Sequence, residues 1–146
     1  MSPDERAERS AAAMWAQDEA SRGFGMALED IGPGRAVLSM EVAERFLNGH
    51  GICHGGVIFT LADSAFAFAC NSHNRVAVAQ TNQITYLEPV RGGERLVATA
   101  SEISLRGRTG LTDVTVTGAD GRVVALFRGQ SRQIGGTHFE EGTDTE

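Results

Sequence analysis

Apolar and polar residues alternate along most of the chain, which is the pattern of β-strands with one buried face. The segment GRAVLSMEV, residues 34–42, and the segment ERLVATASEISLRG, residues 94–107, both show this period of two. The sequence GADG at residues 118–121 predicts a tight hairpin turn. The pattern therefore predicts two strands joined by a hairpin within residues 24–43, and three or four antiparallel strands after residue 75.

Two segments depart from this alternation and have the composition of helices. Residues 3–21 are rich in Ala, Glu and Arg and predict an accessory helix. Residues 55–71, GGVIFTLADSAFAFACN, predict a long apolar helix on which small and polar side chains collect in one stripe. That stripe consists of Gly56, Thr60, Asp63, Ser64, Ala67 and Asn71. Because an antiparallel sheet needs a cover for its apolar face, we predict an α+β fold in which five to six strands wrap around this central helix.

Length and composition indicate a single domain. A chain of 146 residues can bury one core without metals or disulfides, and its two cysteines lack a metal-ligand spacing. We expect the core at about residues 24–134 and the accessory helix within residues 1–22. Residues 135–146 are polar and acidic, which predicts a mobile tail.

Charge and hydropathy argue against two classes of partner. The net charge of −6 provides no positive field for nucleic acid. The N-terminus carries acids and no apolar signal region, and the apolar run that contains Asp63 is too short to span a bilayer. We therefore expect a cytoplasmic protein with no membrane or nucleic-acid partner.

Asp63 stands out because it is a carboxylate within an apolar helix. A buried, unpaired carboxylate costs several kcal/mol, so Asp63 is either solvated, paired with an Arg or a neighbouring chain, or functional. The sequence HGG at residues 54–56 opens the same helix and offers free N–H groups to an anion. Eight residues separate Gly55 from Asp63, which is roughly 12 Å of helix and too far for one carbonyl group. A symmetric dimer with antiparallel helices would bring one chain's Asp63 beside the other's Gly55.

The segment NGHGICHGGVIFTLADSAFAFACN, residues 48–71, resembles the active-site segment of the hotdog-fold acyl-CoA thioesterases of the phenylacetic acid degradation type. The shared pattern is an Asn, a His-Gly-Gly six residues later, and an Asp nine residues after the His. The resemblance extends over about residues 24–134. It implies a sheet wrapped around the central helix, a side-by-side homodimer with the active site at the subunit interface, and a homotetramer built from two dimers.

The same resemblance implies roles for particular residues. Asp63 would activate water or attack the thioester, and the N–H of Gly55 would polarise its carbonyl group. Asn48 and His54 would shape that side of the pocket from the partner subunit. Thr81 would orient the water, and Ser64 is a further candidate. For the nucleotide end of coenzyme A, the segment RGRTG implies contacts from Arg106, Gly107, Arg108 and Thr109, although a simple turn explains this sequence equally well.

The implied reaction is the hydrolysis of an aryl-acetyl-CoA, such as phenylacetyl- or hydroxyphenylacetyl-CoA, to the free acid and CoA. No cofactor is required, since coenzyme A enters as part of the substrate. A burial-raised pKa would make Asp63 a better base. The residues leave open whether Asp63 acts as a base or forms a covalent anhydride. Two alternatives are a hotdog hydratase or dehydratase and a non-catalytic acyl-CoA binding module.

Other chemistry-bearing residues suggest weaker alternatives. Cys53 precedes His54, but adjacent residues rarely direct their side chains at each other, which disfavours a Cys-His nucleophile pair. His50, His54 and Asp63 lack the spacing of a metal site, so we predict none. Cys70 is expected in the core. His73 and His138 are expected in solvent.

Overall fold

A computed structural model describes residues 1–142. Its six strands are β1 (Ala27–Gly32), β2 (Arg35–Glu41), β3 (Ala77–Tyr86), β4 (Arg95–Arg106), β5 (Thr109–Thr117) and β6 (Val123–Gln133). They form one antiparallel sheet in the order β1-β2-β4-β5-β6-β3. This confirms the predicted antiparallel sheet of five to six strands. The sheet ends in two edge strands, β1 and β3.

The predicted central helix is confirmed as α3 (Gly55–Cys70), which packs across the sheet and contacts all six strands. Its residues Leu61, Phe66 and Phe68 are almost completely buried. The ring of Phe66 lies directly on the backbone of β6, where a Cβ added at Gly129 would come within 2.5 Å of the ring. Glycine at this position therefore allows the helix to lie close to the sheet.

The predicted N-terminal accessory helix is present but consists of two helices, α1 (Pro3–Gln17) and α2 (Glu19–Gly23). Asp18 separates them, because its side chain accepts hydrogen bonds from the N–H and the hydroxyl of Ser21 and caps α2. Two helices therefore occupy the region in which one helix, over residues 3–21, was expected. α1 packs against β1, the edge strand far from β3.

The C-terminal segment makes specific contacts that its composition did not predict. Asn74 donates to the carbonyl of Phe139 at 3.0 Å and accepts from the N–H of His138 at 2.9 Å. The guanidinium of Arg9 lies 4.3 Å from the ring centroid of Phe139. The mobility of this tail stays a prediction, and its last four residues, 143–146, lie outside the described part.

Both histidines expected in solvent have partners instead, so that expectation was wrong. His138 is partly buried, which lowers the pKa of its imidazole, and its Nε2 lies 2.9 Å from Oδ1 of Asn71. Nε2 of His73 lies 2.8 Å from Oε1 of Glu102. Cys70 is buried, as expected. Within residues 1–142, no helix is both long and apolar enough to cross a membrane.

Candidate active site

Asp63 lies in the middle of α3 and faces the edge strand β3. Its Oδ1 accepts a hydrogen bond from Nδ2 of Asn82 at 2.9 Å. The side chain is partly buried, and burial raises the pKa of this carboxyl above its ordinary value, while the hydrogen bond from Asn82 partly opposes that shift. A carboxylate with a raised pKa is a stronger proton acceptor than a solvated aspartate.

Gly55 is the first residue of α3, and the residues around it leave its N–H free. His54 caps the helix, since its Nδ1 accepts from the N–H of Gly56 at 2.9 Å. The carbonyl of His54 accepts from the N–H of Val57 at 3.0 Å. Among residues 1–142 the N–H of Gly55 has no acceptor. A free N–H at the positive end of a helix can stabilise an oxyanion.

Tyr86, the last residue of β3, holds the same helical turn from the other side. Its hydroxyl donates to the carbonyl oxygen of Gly55 at 2.7 Å. A Cβ added at Gly55 would come within 3.1 Å of Cζ of the Tyr86 ring. The close approach of this ring explains why the position carries glycine.

Asn48 and Gly55 line one pocket of about 300 Å³. Oδ1 of Asn48 accepts from the N–H groups of His50 at 2.9 Å and Ile52 at 3.3 Å, and these bonds shape the loop that forms one wall. The remaining lining is mostly apolar and consists of Ile52, Cys53, Ile58, Tyr86, Leu87, Glu88, Pro89 and Val90. The structure therefore brings Asn48 and Gly55 of the same chain together at one pocket.

Within one protomer, neither Thr81 nor Ser64 joins Asp63. The register of β3 shifts between Ala79 and Thr81, which leaves Asn82 facing the helix and Thr81 exposed on the opposite face. The hydroxyl of Ser64 lies 2.8 Å from the hydroxyl of Ser21 and attaches α2 to α3. The structure thus gives Ser64 a packing contact that the sequence did not suggest.

The proposed CoA-contacting residues lie in the hairpin between β4 and β5, past the C-terminal end of α3. Gly107 adopts a positive φ of 61°, which suits a tight turn. Arg108 lines a cavity of about 640 Å³ together with Arg6 and Arg75. Arg106 is exposed at the end of β4. The hairpin therefore contributes one of three guanidinium groups to a single cavity.

The alternative chemistry finds little support in the geometry. Cys53 is buried, and burial raises the pKa of its thiol to about 11, so the thiolate is scarce at neutral pH. Its thiol contacts the backbone carbonyl of His54, whose ring caps α3 instead. In the described part of the chain, no group of three His, Cys, Asp or Glu residues could hold a metal ion.

Sequence reasoning did not find Asn82 and Tyr86. Both lie on the helix-facing side of β3, together with Ile84 between them. Asn82, Ile84 and Tyr86 follow one another at intervals of two residues in the sequence QTNQITY. The phase of that alternation was hidden by the register shift before Thr81.

Comparisons of the sequence and of the structure with known proteins all identify thioesterases. The family model of the thioesterase superfamily matches residues 50–125. The chain is 42% identical over 132 residues to the acyl-coenzyme A thioesterase PaaI of Escherichia coli, covering 90% of this chain and 94% of that protein. The solved structure of the E. coli PaaI protein from the phenylacetic acid degradation operon superposes with a TM-score of 0.91 at 41% identity, covering 93% and 99%. A Streptococcus mutans protein bound to acetyl-CoA superposes with a TM-score of 0.74 at 28% identity, covering 77% and 90%.

Proposed function

This chain belongs to the thioesterase superfamily and is an acyl-CoA thioester hydrolase with the hotdog fold, and on that premise we propose its substrate and its catalytic residues. The substrate is an aryl-acetyl-CoA, such as phenylacetyl- or hydroxyphenylacetyl-CoA, and the products are the free acid and CoA. Asp63 is the base or nucleophile, and the N–H of Gly55 is the oxyanion donor. The observation that carries this proposal is that α3 holds both a partly buried carboxylate, that of Asp63, and a backbone N–H without an acceptor among residues 1–142, that of Gly55.

The chemistry needs little beyond these two groups. In the general-base route, Asp63 takes a proton from water while the water oxygen attacks the thioester carbon. The carbonyl oxygen becomes an oxyanion that accepts a hydrogen bond from Gly55. The C–S bond then breaks, and CoA leaves as a thiolate that takes up the proton held by Asp63, which returns Asp63 to its ionised form. In the nucleophilic route, a carboxylate oxygen of Asp63 displaces the thiolate directly, and water hydrolyses the resulting anhydride.

A second protomer completes the site in this proposal. Within one chain, Gly55 and Asp63 are eight residues apart on α3, roughly 12 Å along the axis. β3 is an edge strand that carries Asn82 beside Asp63 and Tyr86 beside Gly55. Antiparallel pairing of two β3 strands about a two-fold axis at Ile84 sets Asn82 opposite the partner's Tyr86. Asp63 of one protomer then lies at the level of the partner's Gly55.

That register also keeps the faces of the joined sheet consistent. A two-fold axis perpendicular to the sheet must pair helix-facing residues with helix-facing residues. Asn82, Ile84 and Tyr86 all face α3, so an axis at Ile84 meets this condition. The homodimer is therefore proposed to join its sheets through β3, and the expected homotetramer would combine two such dimers.

Two cavities fit the two ends of an acyl-CoA molecule. The pocket of about 300 Å³ beside Gly55 has mostly apolar walls and suits an aryl group. The larger cavity, with Arg75 and Arg108, suits the phosphates of CoA, since guanidinium groups form paired hydrogen bonds to phosphate. The third guanidinium of this cavity, that of Arg6, pairs with Glu141 at 2.8 Å. Thr81, Ser64 and the remaining hairpin residues stay candidates for supporting contacts.

A thiol-release screen across aryl- and alkyl-CoA esters tests the proposal, with Asp63→Asn and Asp63→Ala measured beside the parent. We expect the fastest release from aryl-acetyl esters and near-complete loss in both variants. An absorbance change with an enoyl-CoA and no thiol release would instead indicate a hydratase. Tight binding of CoA esters without release over hours would indicate a non-catalytic binding module.

A further inference from the structure

The helix-facing side of β3 contacts α3 at both proposed catalytic positions. Asn82 donates to the carboxylate of Asp63 at 2.9 Å, and Tyr86 donates to the carbonyl of Gly55 at 2.7 Å. Four residues of a strand span about 13 Å, and eight residues of a helix span about 12 Å. The spacing of the two contacts on the strand therefore matches their spacing on the helix.

Building on the function proposed above, we infer that β3 is a two-point clamp in which Asn82 and Tyr86 are positioning residues for hydrolysis. Asn82 fixes one oxygen of Asp63 and leaves the other free to act. Tyr86 fixes the first turn of α3 and thereby the direction of the Gly55 N–H.

The hydrogen-bonding needs of the Asn82 amide itself do not explain why an asparagine faces α3 at this position. Its Nδ2 donates to Asp63, but its Oδ1 is buried and has no hydrogen-bond partner among residues 1–142. A buried polar atom without a partner costs free energy, so the amide is not placed here to satisfy its own hydrogen-bonding groups. The retained amide is accounted for by its contact with the carboxylate.

The position of Tyr86 is likewise not explained by core packing. Its side chain is 48% exposed, yet its hydroxyl donates to the carbonyl of Gly55 and its ring would lie 3.1 Å from a Cβ added at that residue. The carbonyl group of His54, in the peptide that carries the Gly55 N–H, is itself held by Val57. Tyr86 holds the following peptide, so the N–H is fixed from both sides.

Two Asn82 variants test the first contact. Asn82→Leu removes the donor at similar volume, and Asn82→Ala removes it without requiring space. Because the hydrogen bond from Asn82 lowers the pKa of Asp63, both variants should move the acid limb of the pH–rate profile to higher pH. Asn82→Gln, which keeps a donor, should restore part of the parent profile. An acid limb that stays at the parent pH in both Leu and Ala variants would overturn this half of the clamp.

Tyr86→Phe tests the second contact, because it removes only the hydroxyl. We expect kcat to fall roughly 3- to 10-fold, the scale of one hydrogen bond, with a smaller change in KM and no movement of the acid limb. Since Tyr86 is the one tyrosine of the chain, fluorotyrosine labelling gives a single fluorine NMR signal at the contact. This signal should shift in Gly55→Ala. A parent-like kcat in Tyr86→Phe would refute the role of the hydroxyl.

Matched controls lie on the opposite face of the same strand. Gln83→Ala and Thr85→Val alter exposed residues beside the clamp residues and should leave kcat and the pH profile unchanged. Equal losses in these controls would show that β3 acts only through general stability. If the parent releases thiol and the Asn82 and Tyr86 variants match it, the clamp is refuted and the proposed function stands. If the parent releases no thiol, the proposed function itself is refuted.

Discussion

The carboxylate of Asp63 and the amide of Asn82 lie 2.9 Å apart and join the middle of the central helix to the edge of the sheet. This contact holds a partly buried carboxylate on the side of the molecule where β3 forms the edge of the described sheet. The helix positions Asp63, but the strand determines which oxygen is available. In the proposed dimer, β3 is also the strand along which the second protomer contributes Gly55.

Replacing Asp63 with Asn should abolish activity while stabilising the fold. Loss of a base or nucleophile of this kind should lower kcat by about 100-fold to 10,000-fold. Burial raises the pKa of Asp63, so its carboxyl contributes most stability below its unfolded pKa and loses that contribution as pH rises through the folded value. The amide introduced by Asp63→Asn cannot ionise, so the melting temperature of the variant should exceed that of the parent increasingly as pH rises through that value.

Asp113→Asn provides a control of opposite sign. The hydrogen bonds from Arg128 lower the pKa of Asp113, so its carboxylate stabilises the fold above its unfolded pKa and loses this effect as pH falls. Asp113→Asn should therefore slightly lower the melting temperature at neutral pH and leave activity intact. Melting curves of both variants across pH check these signs, and a lower melting temperature for Asp63→Asn at neutral pH would contradict the raised pKa.

Gly55→Ala should impair the rate more than the stability. The added Cβ would come within 3.1 Å of the Tyr86 ring and displace the first turn of α3. We expect kcat to fall roughly 10- to 100-fold, less than the roughly 100- to 1000-fold typical of losing an oxyanion donor entirely. Gly49→Ala is the matched control, because no atom lies within 4 Å of its added Cβ. Equal thiol-release rates for the two variants would argue against Gly55 as the donor.

Ile84→Cys should form a disulfide between protomers under mild oxidation. With the two-fold axis at Ile84, the two introduced thiols face each other across the paired β3 strands, at a separation that a disulfide can bridge. The parent chain should not cross-link, because Cys53 and Cys70 are both buried. Non-reducing electrophoresis measures the result. A dimer in solution that forms no disulfide at this position would exclude the proposed register.

Arg108→Ala should weaken recognition of the nucleotide end of the substrate. Arg108 lines the cavity with Arg6 and Arg75, and losing one phosphate contact should raise KM for an acyl-CoA roughly 3- to 10-fold. The KM for the same acyl group on pantetheine, which lacks the nucleotide, should not change. Arg95→Ala is the control, because this exposed residue pairs with Glu29. A parallel rise in KM for both thioesters would place Arg108 outside the phosphate site.

The comparison between Thr81 and Asn82 shows why part of the site could not be predicted. Counting by twos from the buried Ala77 places Thr81 on the helix-facing side of β3. The register shift before Thr81 inserts one residue into the strand and turns Asn82 inward instead. No residue type in QTNQITY marks such a bulge, because it depends on how β3 pairs with β6.

Ser64 shows a similar limit within a correctly predicted helix. The helical pattern placed it on the stripe of Asp63, but consecutive residues point about 100° apart around a helix. Because of that difference, Ser64 contacts Ser21 on α2, whereas Asp63 contacts Asn82 on β3. The pattern could not show which neighbour each side chain would meet, because α2 and β3 approach α3 from different parts of the chain.

The sequence by itself determined the antiparallel sheet, the central helix, and the presence of an acidic residue and a glycine-led turn on that helix. These features follow from hydrophobic periodicity and local helix signals, which act over a few neighbouring residues. The tertiary structure alone decided that Asn82 holds Asp63, that Tyr86 holds Gly55, and that the C-terminal segment contacts Asn74. These contacts join residues distant in sequence, and their geometry depends on strand register and helix orientation, which only the packed chain establishes.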